Sequence, residues 1–161
     1  MVIAMAVTGV VLPAMPVRFE ERVAIWAASS AIASMPLLYC VIRLANHRLF
    51  TPQDIAGAGF GGGTPKAKML QAMLQNTLEQ SILAALGYAA WCFLAPASWG
   101  VAPAIACIML LVGRIAFLAG YERGAAARSF GFALTFYPSL AMIAVIAPFA
   151  MNAIASLWFA G

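Results

Sequence analysis

At 161 residues and 16.9 kDa the chain is the size of one domain, and 65% of it is hydrophobic against 9% charged. An average soluble domain carries about 25% charged residues, so a soluble globular fold is excluded, and intrinsic disorder is excluded by the hydrophobicity itself. The net charge of +4 rests on nine Lys/Arg against five Asp/Glu, too sparse and scattered for a nucleic-acid footprint.

What remains is an all-α integral membrane protein whose surroundings are a lipid bilayer. A span takes about 20 apolar residues, so four spans with short loops account for nearly the whole chain. Residues 1–19 form an apolar N-terminal segment interrupted by Pro13 and Pro16. It lacks the basic start of a signal peptide and is expected to lie at the interface or on the outer side. Residues 20–161 read as a four-helix membrane domain. The first helix is expected over about 23–45, closed by Arg43, His47 and Arg48. A glycine-rich loop follows, and Thr64-Pro65 marks the next helix start, with Thr as N-cap and Pro at the first helical position. The second helix covers about 65–94. After the turn Ala95–Gly100 the third runs from about 101 past Tyr121 to Arg128, and the fourth occupies about 130–160 with Pro138 and Pro148 inside it.

Lys/Arg placement orients the bundle. Arg43, Arg48, Lys66 and Lys68 flank the first loop, and Arg123 and Arg128 lie between the third and fourth helices. Only Arg18 and Arg22 mark the other side. Both termini are therefore expected outside and both basic loops in the cytosol. Trp26, Trp91, Trp99 and Trp158 fall at the opposite ends of the spans, as one interfacial belt would. Cys40, Cys92 and Cys107 stand singly in apolar segments and read as small buried hydrophobes, not as metal ligands or a disulfide framework. The stretch Gly57-Ala-Gly59-Phe-Gly61-Gly62 matches GxGxxG literally, but a dinucleotide site needs a preceding strand, so it reads as linker. His47 reads as a solvated residue near the headgroups.

The second helix holds the anomaly. At about 100° per residue, Lys68, Gln71, Gln75, Asn76 and Glu79 share a stripe about 140° wide. A charged residue at membrane depth costs about 2.5–3.5 kcal/mol on insertion scales, and Glu79 lies about 20 Å into the helix. Such a stripe is expected to face a partner helix, a cavity or its own members. On the third helix, Arg114, Phe117, Tyr121 and Arg128 would keep within about 60° of one face if the helix continued that far. Two readings stay open. Glu79 and Arg114 neutralise each other as structural glue, or the arginines line a groove for an anionic or carboxylate-bearing ligand.

Two motifs resemble the MAPEG superfamily, the membrane-associated proteins in eicosanoid and glutathione metabolism. One is Asn76-Thr-Leu-Glu79, similar to the family's N-x-x-E. The other is Arg114-Ile-Ala-Phe117-Leu-Ala-Gly120-Tyr121 with Arg128 seven residues on, similar to its R-x-x-Y-x-x-G-Y and following arginine. The resemblance implies a homotrimer of four-helix protomers in a bacterial inner membrane, with glutathione as cofactor between subunits. Asn76, Glu79, Arg114, Phe117, Tyr121 and, partly, Lys68 would bind it, and Arg128 would stabilise its thiolate for attack on a lipophilic electrophile. The chain departs from the pattern at Ala72, where the family usually has arginine, at Gln80, often aromatic, and at Phe117, where a tyrosine hydroxyl is missing. The alternative implied by those departures is a MAPEG-fold scaffold or assembly partner, or a binder of another anionic or amphipathic ligand, that has lost glutathione.

Overall fold

The computed structural model describes residues 17–57 and 63–159. The expected N-terminal segment and most of the GxGxxG stretch lie outside the described residues. Four α-helices form among the described residues: α1 Phe19–Leu49, α2 Pro65–Leu94, α3 Ala102–Gly120 and α4 Ala125–Phe159. Short 3-10 turns occupy Pro52–Asp54, Ala97–Trp99 and Tyr121–Arg123. Helix α1 packs most extensively on α2 and α3 on α4, with α1 on α3 and α2 on α4 as the next contacts. The bundle is therefore four-sided, and the helices run round it in the order α1, α2, α4, α3.

Among the described residues three helical segments are long and apolar enough to cross a membrane: α1, α3 with its flanking turns, and α4. The fourth expected span, α2, has 30 residues, about 45 Å of helix, but its first half is too polar to qualify on composition. Its place in the bundle explains how that polarity is tolerated. One apolar cluster lies toward the α2–α3 turn, around Ala84, Tyr88, Trp91, Leu110, Met142 and Ile146. A smaller one lies toward the α1–α2 loop, around Leu44, Leu70 and Met73. Between them in sequence on each helix sits a buried polar layer: Thr77, Gln80 and Ser81 of α2, Arg114 of α3, Thr135 and Ser139 of α4.

Several sequence expectations change here. Helix α3 stops at Gly120 instead of running on to Arg128, because the chain tightens into a 3-10 turn and then passes through Gly124 at φ +98°, a conformation glycine adopts without steric cost. Arg128 consequently belongs to the first turns of α4. Trp91 is not an interfacial anchor: it is a buried core residue whose indole N–H donates to the Trp99 carbonyl at 2.9 Å. Trp158 remains exposed. The three cysteines are free and buried, as expected.

Helices α3 and α4 meet backbone to backbone. A methyl group added at Gly131 would strike the Phe117 backbone nitrogen, and one at Gly120 would strike the Ala127 carbonyl. Small residues at these crossings bring the two backbones close, a common way of associating helices in a membrane.

Helix α2 is capped at both ends by groups from α1 and its loop. At its start the Thr64 hydroxyl accepts from Ala67 N at 3.2 Å and donates to Asp54 Oδ2 at 2.6 Å, while Thr64 N donates to Asp54 Oδ1 at 2.8 Å. His47 Nε2 completes this clasp at 2.9 Å from Asp54 Oδ2. His47 is thus a partner in a buried loop contact and not a free headgroup-facing residue. At the other end Arg22 Nη2 donates to the Trp91 and Ala95 carbonyls at 3.0 and 2.7 Å; the Trp91 carbonyl also accepts from Ala95 N, and the Ala95 carbonyl is an acceptor the helix end leaves open.

A candidate ligand cleft between α2 and α4

Arg114 anchors the site from inside. It has 0% of its surface exposed, and its guanidinium donates from Nη1 and Nη2 to Asn76 Oδ1 at 3.0 and 3.1 Å and from Nη2 to Thr77 Oγ1 at 3.3 Å. Its Nε finds no partner. Among the described residues no carboxylate lies within ion-pair distance of it. The expected Glu79–Arg114 pair does not form. Glu79 points out of the bundle and accepts from Gln75 Nε2 at 2.9 Å.

The geometry of α2 explains why. Its buried face runs through Met73, Thr77, Gln80, Ala84 and Tyr88, whereas Lys68, Gln75 and Glu79 are all exposed, about half a helical turn away. Most of the polar stripe therefore looks away from this protomer's core. Gln71 lies at its edge and accepts from Arg48 Nη2 at 3.1 Å. Asn76 lies at the boundary of the two faces. With Oδ1 turned to Arg114, its amide nitrogen is the end left to donate elsewhere.

The Arg114 guanidinium lies 4.0 Å from the Phe117 ring centroid, and Phe117 meets Tyr121 edge-on at 5.3 Å and 75°. Arg128 lies 4.4 Å from the Tyr121 ring centroid. The sequence grouping of these four residues is reproduced, but by a different route: α4 turns back along α3 and returns Arg128 to the tyrosine. Each cation sits over the electron-rich face of a ring, an attraction that strengthens as water is removed.

A cleft of ≈ 520 Å³ opens beside this run, lined by Asn76, Phe117, Tyr121, Arg128, Ser129, Phe132 and Tyr137 among others. A second, of ≈ 540 Å³, continues along the α2–α4 side and is lined by Asn76, Glu79, Gln80, Ile82, Leu83, Phe132 and Phe136. Asn76 and Phe132 border both, so the two form one groove, polar toward Arg128 and apolar toward Leu83 and Phe136. Of the residues singled out in the sequence, Asn76, Glu79, Phe117, Tyr121 and Arg128 line it. Arg114 stands behind Asn76, bonded to its Oδ1, and Lys68 lines neither part. Sequence reading missed Thr77, which bonds Arg114, and gave Gln80 no role beyond a departure. Gln80 is 3% exposed with its Oε1 unpartnered. Their three-residue spacing, in register with Met73 and Ala84, was the available signal.

No curated protein and no solved structure matches the chain. Residues 23–148 match the MAPEG family, a stretch that takes in every residue of the groove, and the chain is an integral membrane protein belonging to that family.

Proposed function

We propose that the protein is a glutathione-dependent transferase or peroxidase acting on a lipophilic electrophile, and that the groove between α2 and α4 holds the peptide. The observation that carries this reading is the pairing of a half-buried, ring-stacked Arg128 with a buried Arg114 that has no carboxylate of its own. An uncompensated cation in an apolar setting is costly, and an anion bound nearby offsets that cost. Glutathione has two carboxylates, one ammonium and a thiol. The groove answers with Arg128, the Asn76 amide and the Glu79 carboxylate, so the charges fit.

Glutathione supplies the thiol that attacks the electrophile. Arg128 favours its thiolate, since a nearby cation lowers a thiol pKa and the thiolate is the nucleophile. With an aryl halide the carbon–sulfur bond forms, halide leaves with the electron pair, and the thiol proton passes to solvent. Phe132, Phe136 and Leu83 give the electrophile an apolar wall reached from lipid. We also take the exposed Gln75 and Glu79 of α2 as the contact with further copies, in a homotrimer, because polar groups at that depth need a polar neighbour. The Lys/Arg bias supports a cytosolic α1–α2 loop, and we take the membrane to be a bacterial inner membrane.

A second reading is a MAPEG-fold scaffold without glutathione. It is favoured by Phe117, whose ring is occupied by Arg114 and offers no hydroxyl to the groove. Thermal melting of the purified protein against glutathione up to about 10 mM separates the two, since a ligand at a hundredfold excess over its Kd stabilises by about 2.7 kcal/mol. A saturable shift, lost in Arg128→Ala, is expected; a flat titration rejects the enzyme reading.

A further inference from the structure

A groove of ≈ 440 Å³ opens between α1 and α3, on the opposite side of the bundle from the α2–α4 cleft. The two share no residue. Its walls are Met35, Pro36 and Tyr39 of α1 with Leu111 and Ile115 of α3, and Arg43 stands at one end. Met35 and Ile115 are 60% and 61% exposed, so the wall is bare apolar surface. From Met35 to Arg43 is eight residues, about 12 Å of helix.

The charged end is unusual. Among the described residues Arg43 has no carboxylate at ion-pair distance; its side chain makes a 3.5 Å hydrogen bond to the Tyr39 hydroxyl, with the guanidinium 5.7 Å from that ring's centroid, and its charge reaches Glu122 only at longer range. Arg123 donates to the carbonyl of Ala119, a groove residue, at 3.2 Å. The carboxylate on that turn, Glu122, is taken by Lys66 at 2.6 Å. One guanidinium, that of Arg43, thus borders the groove toward the α1–α2 loop end, and apart from the Tyr39 hydroxyl the remaining lining side chains are apolar.

We propose that this groove binds an anionic phospholipid from the leaflet at the loop end. Arg43 takes the phosphate, Tyr39 lies at the headgroup boundary, and one acyl chain follows Met35, Leu111 and Ile115. Charge complementarity argues for this occupant. A cation and a tyrosine at the polar end of an apolar slot match a lipid's own order of groups, while a second copy has its polar partner surface on α2, at the other side. The assignment is independent of any glutathione chemistry.

The test uses the full chain in mixed micelles with phosphatidylglycerol or with phosphatidylcholine of the same acyl chains. Retained lipid is read by native mass spectrometry, and melting is followed in parallel. The wild type is expected to retain and be stabilised by phosphatidylglycerol in preference. Arg43→Ala should cut that preference about fivefold, the factor for about 1 kcal/mol per basic residue at an anionic surface. Arg43→Lys should keep most of it, and Ile115→Phe, which fills the slot conservatively, should lower retention of both lipids. Equal retention of the two lipids by the wild type overturns the proposal. So does a preference untouched by Arg43→Ala, or lost only in Arg128→Ala, which would place the lipid in the other cleft. A change of oligomeric mass in Ile115→Phe also overturns it, because the occupant is then another copy of the chain.

Discussion

Arg114 is enclosed on every side, and its partners are an amide and a hydroxyl, not a carboxylate. That arrangement leaves a full charge to act on the groove through Asn76. Substituting Asn76→Asp would put a carboxylate against the two Nη groups and close the charge within the protomer. The variant should melt no lower than the wild type, since a carboxylate there pairs a buried cation that otherwise has no counter-charge. It should also lose the glutathione-dependent shift in the same melting titration. A retained shift would mean that Arg114 does not act on the ligand. This residue was legible in the sequence because an arginine in an apolar run has no ordinary reason to be there. Thr77 and Gln80 were not, because neutral polar side chains in a membrane helix carry little penalty and so little signal.

Among the elements, the contact of α3 with α4 controls the site, because Phe117 and Tyr121 come from one side of it and Arg128 from the other. Gly131→Ala would push the helices apart where the added methyl meets the Phe117 backbone. Overpacking of this kind costs about 1–3 kcal/mol, so a lowered melting temperature together with weakened glutathione binding is expected. The α1–α2 clasp makes a different prediction. Hydrogen bonds from the Thr64 hydroxyl and backbone N–H, and to a lesser extent from His47, hold the Asp54 carboxyl below its ordinary value, against the opposing effect of burial. A carboxyl depressed in the folded state stabilises at pH above its unfolded value, about 3.9, and the contribution disappears as pH falls through the folded value. Melting followed from pH 6 to about pH 3 should show a loss confined to the acid end, and Asp54→Asn should flatten it. The start of α2 was readable from Thr64-Pro65, but not the break at Gly120, and α1 and α4 begin at Phe19 and Ala125, about four or five residues before the expected positions. Hydropathy is continuous across it, and only the backbone of Gly124 reveals the reversal.

For the molecule as a whole, the sequence marked out the four helices of the described residues and which residues on α2 share a face. It did not show which way that face turns. Helical periodicity fixes the angle between side chains and leaves the position of the neighbours undetermined. Lys68, Gln75 and Glu79 were expected to face a partner helix, a cavity or one another, and within this protomer they face outward, with Gln75 bonded to Glu79 and Glu79 lining the groove. On the proposal that this face meets further copies in a homotrimer, native mass spectrometry of the purified protein is expected to give the mass of three protomers. Replacing both Gln75 and Glu79 with leucine should shift it toward smaller species, and an unchanged mass would place the contact on another face.

The two caps of α2 have a consequence for how the protein enters the membrane. Asp54 brings a negative group to the start of that helix and Arg22 a positive one to its end, each opposed to the partial charge the helix carries there. Both come from α1 or the loop attached to it. The helix least able to partition into lipid by its own composition is thus completed by the segment synthesised just before it. On this arrangement α1 and α2 are a single unit of insertion, a hairpin whose first arm carries in the end groups that the second requires.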